Sequence, residues 1–329
     1  MARNMPMNIC KKIFKHLILI PSSFVAISCD SSDPVQIEKV DSAVLLSDDE
    51  LTRHNKDKTQ NINTKVFFFG FDLRSSPQED AAQYLPFLNY LNEKTGYVFK
   101  LHFTPQSETI IDEIGQNKVQ FAAMGATSFI EANIRYGVIP LVRGLNLKGK
   151  AEYRSFFVSK YNSSINNLNN TDGLRLSFGN KNSTQGHLIP RIILYKNMID
   201  LNSFKTYQYT GSHQNCAESV VSNEADICGM QDQLAIELAQ RRLVKIIHRS
   251  RYYPSSGIVA NKNVPENVIV KVTSALLDFK PTGKHKDGLY NWHKTEMPRG
   301  FIKTRQNDYA ELRKWLLKFD FITNQNKKK

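Results

Sequence analysis

Three short clusters of this 329-residue chain combine small side chains with hydroxyls, amides and imidazoles where a strand gives way to a helix. They are Met124-Gly125-Ala126-Thr127-Ser128, Asn182-Ser183-Thr184-Gln185-Gly186-His187 and Thr210-Gly211-Ser212-His213-Gln214-Asn215. Small side chains let an anion reach the free N–H groups of a helix start, and the hydroxyls and the His213 imidazole add donors. Ser, Thr and Asn are also the commonest helix caps, so one such cluster says little by itself. Three in the same topological place, beyond the carboxyl ends of the strands of an open α/β sheet, point to a site for a small oxyanion. Arg74, in the loop DLRSSPQED, is a further candidate for the same cleft. Ser183 or Thr184 with His213 and Asp226 has the residue types of a phosphoester hydrolase. Nothing in the pattern puts a base against a nucleophile, so binding without catalysis is the expectation.

Other chemistries lack their motifs. No GxGxxG, Walker A or HExxH sequence occurs, and the four cysteines have neither the number of a disulfide framework nor the spacing of a zinc site. No metal and no cofactor is therefore expected. The formal net charge is +13, but the first 28 residues contribute four cations and no acid, and the remaining basic residues are interleaved with Asp and Glu up to a terminal Lys327-Lys328-Lys329. Without a recognition motif this charge excludes a nucleic-acid reading and leaves a solvated face or an attraction to anionic solute or lipid.

Residues 1–29 read MARNMPMNICKKIFKHLILIPSSFVAISC: a basic stretch, a short apolar run and small residues before a cysteine. That is the layout of a secretory signal, too short in its apolar part to span a bilayer. The ending Ala26-Ile27-Ser28-Cys29 resembles a bacterial lipobox, which implies cleavage after residue 28 and lipidation of Cys29. Residues 29–64 are polar and mixed in charge and should form a flexible tether. The expected location is the periplasm or the outer face of the cytoplasmic membrane, with the chain held by lipid.

The elements that must position the clusters follow from the hydrophobic pattern. The run VFFFGF (66–71) suits a strand buried on both faces; AAQYLPFLNYLNEKTG (81–96) is an amphipathic helix stopped by glycine. Strands over 97–103 and 119–124 alternate with helices over 109–117 and from about 127. A second unit has strands over 153–160, 175–178, 206–209 and 226–228, with helices over 187–196 and 214–222. Residues 246–261 make the return crossing, and helices over 266–279 and 308–317 pack back on the first unit. This alternation predicts an α/β protein of two lobes, each an open, mostly parallel sheet flanked by helices, with a hinge. Lobe 1 takes residues 65–152 and 255–329, and lobe 2 takes 153–254. Cys216 and Cys228 would share one face of a βαβ unit, where a disulfide, two buried thiols or a functional thiol all remain open.

NSTQGHLIP (182–190), HQNCAESVVSNEADICGM (213–230) and MPRGFIKTRQNDYAELRKW (297–315) resemble motifs of the phosphate/phosphite/phosphonate-binding proteins of ABC transporters, over about residues 66–319. The resemblance implies a type II-like periplasmic-binding-protein fold and a monomer that passes a small oxyanion to a permease and its ATPase. It assigns Ser183, Thr184 and His213 to the anion's oxygens, with Gln185 standing for a family serine, Gly186 for the family glycine and Met124 for a family tyrosine. Thr127 or Ser128 would supply the missing hydroxyl, and Tyr253, at the return crossing, falls where the family has hinge and cleft residues. Where aminoalkylphosphonate binders place carboxylates, this chain has Gln233 and Ser256, with Asp232 one residue away, so phosphate, phosphite or a simple phosphonate is the expected ligand. Some relatives sense arsenite for a histidine kinase, which makes sensing the alternative to transport.

Overall fold

The structure is a computed structural model and describes residues 65–321 apart from Leu73 and Ser75. The leader, Cys29 and the tether lie outside the described residues. Among the described residues, no helix is long and apolar enough to cross a membrane.

The first lobe begins with β1 (Val66–Phe71), α1 (Pro77–Thr95), β2 (Val98–Leu101), α2 (Ile110–Gly115), β3 (Phe121–Met124), α3 (Ala126–Tyr136) and β4 (Ile139–Gly144). The ends of α1 follow local chemistry. The Ser76 hydroxyl accepts from the Glu79 amide at 3.2 Å, Pro77 opens the helix, and Gly96 closes it at φ 65°. β1 is not buried on both faces along its whole length, because Val66 and Phe68 are 48% and 40% exposed. The short α2 covers the strand only near Gly70, where an added Cβ would stand 2.4 Å from Ile110 Cδ1.

The chain then passes through β5 (Glu152–Tyr153) into the second lobe. This contains β6 (Ser155–Lys160), β7 (Arg175–Phe178), α4 (Ile189–Lys196), β8 (Thr206–Tyr209), α5 (His213–Val221), β9 (Ile227–Gln231), α6 (Asp232–Gln240) and β10 (Val244–Arg249). It returns through β11 (Tyr253–Pro254), which pairs antiparallel with β5 as a two-stranded ribbon, Tyr253 opposite Tyr153. β12 (Gly257–Ala260), α7 (Glu266–Asp278), β13 (Phe301–Lys303) and α8 (Ala310–Lys318) are the last strands and α-helices of the described residues.

Six strands form the first sheet in the order β13-β4-β12-β3-β1-β2, and five form the second in the order β10-β6-β9-β7-β8. Both are mixed. β2, β1 and β3 run parallel, as do β8, β7 and β9, whereas β12 is antiparallel to β3 and β4, and β6 is antiparallel to β9 and β10. The βαβ crossovers require the parallel half of each sheet; the strands that carry the chain between lobes enter from the opposite direction.

An aromatic core of Phe69, Phe87, Phe121, Phe279 and Trp292 fills the first lobe under α1 and α7. A larger core joins residues of both lobes, among them Phe129, Tyr153, Phe157, Ile189, Leu312 and Leu316. α8 therefore does not pack on the first lobe alone. It lies on α3, and its Trp315 ring and the Phe319 ring just beyond it meet Tyr195 of α4 at 5.4 and 5.9 Å.

Candidate functional site

The starts of α3, α5 and the turn before α4 converge where the two sheets face each other. α3 brings no side-chain cap of its own; its N-cap is Gly125. The exposed amides are taken instead by distant groups. The Gly125 N–H donates to Asp72 Oδ2 at 2.7 Å, and the Thr127 N–H donates to Thr184 Oγ1 of the second lobe at 2.9 Å. The Thr127 and Thr184 hydroxyls are 3.0 Å apart, so one donates to the other across the cleft.

On the second lobe, Ser183 caps a single π turn, Thr184–Leu188, by accepting from the Gly186 N–H at 2.9 Å. A side chain at 186 has no room, since its Cβ would lie 2.9 Å from His213 Cε1 and 3.2 Å from Gly179 Cα. Glycine there lets the turn close against the histidine. Ser212 caps α5 and places His213 at its first position. The Gln231 N–H donates to His213 Nδ1 at 3.3 Å, which leaves the ring proton on Nε2 as a donor. Burial lowers the His213 pKa from 6.5 to about 4, with Arg74 adding to the fall and Glu296 opposing it, so the ring is neutral at physiological pH.

Arg74 does reach the cleft, paired through Nη1 with Glu296. Burial disfavours its charge, but Glu296 foremost, then Tyr84 and Asp72, outweigh that and raise its pKa. Its Nε and Nη2 are buried without a hydrogen-bond partner, as is Arg154 Nε, whereas the buried Tyr153 hydroxyl faces Thr184 and the Ala126 N–H. Arg154 lies over the Tyr252 ring at 4.7 Å, with its Nε 3.8 Å from Asp232. Burial raises the pKa of Asp232, against the pull of Arg154. Gln185 donates to the Arg154 carbonyl at 2.9 Å and to Asp232 at 3.3 Å.

Thr127, Ser128, Thr184, Ser183, Gly186, His213 and Arg74 thus share one region. Met124 and Tyr253 instead have their side chains in the larger apolar core. Tyr253 holds the β5–β11 ribbon, with Arg251 over its ring at 4.9 Å. The hydrolase arrangement is absent: Asp226 is bonded to Arg175 at 2.8 Å before β9 begins, whereas His213 meets the far end of that strand. Cys216 and Cys228 are joined in a disulfide that ties α5 to β9. Among the described residues, no group of three His, Cys, Asp or Glu side chains could hold a metal ion.

Sequence reasoning passed over Asp72, Tyr153, Arg154 and Glu296. Asp72 carried a signal, since it ends β1 at the same kind of strand-to-helix junction as the others. Glu296 carried none. It comes from an irregular segment before β13, and the Ser256 hydroxyl donates to it, so a carboxylate does stand beside the position where the sequence has serine.

Two lobes joined by crossing strands, with donors from both turned into the seam, define a periplasmic-type solute-binding protein. Residues 69–309 match the family described as ABC transporter, phosphonate, periplasmic substrate-binding protein, and the chain belongs to that family. It is 29% identical over 232 residues to the phosphonates-binding periplasmic protein of Escherichia coli K12, covering 68% of each chain. In fold it is similar to PhnD1 of Prochlorococcus marinus MIT 9301, solved in complex with methylphosphonate (TM-score 0.69, 18% identity, 78% of this chain and 99% of the other). A binding protein component of a phosphonate transporter from Pseudomonas aeruginosa gives a TM-score of 0.67 at 23% identity, over 78% and 87% of the two chains.

Proposed function

We propose that this chain captures a small phosphorus oxyanion, such as phosphate, phosphite or a simple phosphonate, between its lobes and delivers it to an ABC permease. The observation that carries this is the character of the unpartnered buried atoms. Arg74 Nε and Nη2 and Arg154 Nε are all able to donate. Buried polar groups are normally bonded, so a set of orphaned donors calls for a ligand rich in acceptors. The Nε–Nη2 edge of a guanidinium is the fork that grips two oxygens of a carboxylate or phosphoryl group. The neutral His213 adds Nε2–H, and the starts of α3 and α5 add backbone dipoles.

The carboxylates nearby do not make an ammonium site. Glu296 is paired with Arg74 and Asp232 lies beside Arg154, so each is already opposed by a cation. The bonded Cys216 and Cys228 offer no thiolate for arsenite. In the same reading the hinge lies at the β5–β11 ribbon, residues 29–64 are the tether, Cys29 carries the lipid, and the protein acts as a monomer without catalysis.

The test is calorimetric titration of the chain with phosphate, phosphite and methylphosphonate, alongside phosphorus NMR of whatever is released when freshly purified protein is denatured. At least one should bind with a dissociation constant in the micromolar range or below. Failure of all three, with no phosphorus signal released, would refute the proposal.

A further inference from the structure

Asp72 stands among the donors of this cleft and is an acceptor. It leaves β1 just before Arg74, and its Oδ2 takes the Gly125 N–H at 2.7 Å. The Ser128 hydroxyl also bonds the carboxylate. A Cβ on Gly125 would lie 3.4 Å from that oxygen and 3.6 Å from Thr184 Oγ1, which places Asp72 at the seam between lobes. Arg74, Glu296 and Tyr84 are the charged and titratable groups that face it. A separate observation marks the same seam as a ligand site: Arg74 Nε and Nη2 are buried there with no hydrogen-bond partner.

A carboxylate beside a fully ionised oxyanion is repelled, at close range and in low dielectric, unless a proton lies between them. Phosphoryl groups can supply that proton, because their second ionisation falls at a pKa of about 6. Sulfonates and sulfate have the same tetrahedral shape but carry no proton at any pH a folded protein tolerates.

We propose that Asp72 determines specificity by accepting a hydrogen bond from the P–OH of a monoprotonated ligand, so that the cleft admits phosphorus oxyanions and rejects isosteric sulfonates. This rests on the oxyanion reading above and adds to it a rule of selection. Burial raises the pKa of Asp72, which favours one proton shared between carboxylate and ligand over two separate charges. Binding is then strongest below the ligand's second ionisation and above that of Asp72, and weakens on either side.

The experiment is titration calorimetry with methylphosphonate and methanesulfonate between pH 5.5 and 8.5, on the wild type and on Asp72→Asn. Asparagine keeps an oxygen for the Gly125 N–H and can donate where aspartate cannot. The wild type should prefer methylphosphonate by more than about a hundredfold and should take up about one proton on binding it at pH 8, measured by repeating the titration in buffers of different ionisation enthalpy. Asp72→Asn should cut that preference by about 10- to 100-fold, the worth of a hydrogen bond to a charged group. If the variant does not fold, proton uptake and sulfonate rejection by the wild type decide the matter. Tight methylphosphonate binding with an unchanged preference in the variant, or without proton uptake, overturns the role of Asp72 alone. A wild type that binds neither compound overturns the oxyanion reading together with it.

Discussion

Replacing His213 by glutamine should change how stability depends on acid far more than it changes stability at neutral pH. The imidazole is neutral in the folded state because burial holds its pKa at about 4, against 6.5 when free. As pH falls, the unfolded chain therefore takes up this proton first. The associated stability is fully present above pH 6.5 and drains away between there and pH 4. A depression of that size is worth about 3 kcal/mol in full. The introduced glutamine would retain an oxygen for the Gln231 N–H and a neutral donor where Nε2–H stands, and it does not titrate. Urea unfolding of both proteins at pH 7.5, 6.5, 5.5 and 4.5 measures the difference. Because the last point stops short of the folded-state pKa, the wild type should lose about 2.5 kcal/mol more than the variant across that range. His187 is present in both proteins. Its pKa is likewise lowered to about 4, chiefly by burial, so it contributes to both curves and cancels from the comparison. Parallel curves, or a His213 ring that titrates near 6.5 by NMR, would show that the buried neutral ring is not the source of the effect.

Three further outcomes follow from the geometry. Reducing the Cys216–Cys228 bond, or replacing both cysteines by alanine, should cost about 3 kcal/mol for so short a loop and lower the melting temperature by about 6–12 °C; no response to reductant in calorimetry would contradict it. Thr184→Val strands the Thr127 N–H in the closed seam, and oxyanion affinity should drop about 10- to 100-fold while melting of the unliganded protein changes little. Gly257→Ala would drive a Cβ to 1.9 Å from the Val142 carbonyl oxygen, where backbone cannot yield without breaking the β12–β4 pairing. Its cost should exceed about 3 kcal/mol in urea unfolding, whereas Gly283→Ala, with its nearest contact at 3.7 Å, should be close to neutral.

Where sequence pattern succeeded and failed has physical causes. β7 and β8 have the bounds the pattern indicates, since turn residues stop each run cleanly, and α5 starts one residue earlier because Ser212 caps it. β4 passed unnoticed, because Pro140 and Arg143 interrupt its apolar alternation. α6 follows β9 with no intervening loop, so no turn signal announced it. The antiparallel halves of the sheets depend on where a returning strand docks, which local pattern does not encode. The same division holds in the cleft. Thr127, Ser183, Thr184 and His213 stand out because strand-to-helix junctions of small and hydroxyl residues have a local signature. Arg74 and Glu296 come from opposite ends of the folded body's sequence and meet only through tertiary structure, so neither neighbourhood advertises the other.

That long-range meeting matters to how the cleft works. In the hinge motion proposed above, contacts within one lobe, such as Ser183 with Gly186 or Asp72 with Gly125, persist whether the lobes are open or shut. Those between lobes, Thr127 with Thr184 above all, exist only when they are shut. In the shut form three donor atoms of Arg74 and Arg154 are buried without hydrogen bonds. At about 1–3 kcal/mol for each unsatisfied group, an empty closed cleft carries a penalty of several kcal/mol that open, solvated lobes avoid. An oxyanion that satisfies those donors removes the penalty, and a swing of about 5.5 kcal/mol carries a two-state equilibrium from 1:99 to 99:1. The apolar contacts of α8 with α3 and with Tyr195 pull the other way, holding the lobes near each other. Closure is then balanced between an apolar strap that favours it and a polar seam that resists it until the right anion arrives. Weakening the strap with Trp315→Ala should lower ligand affinity without touching the cleft, and an unchanged affinity in that variant would place the balance elsewhere.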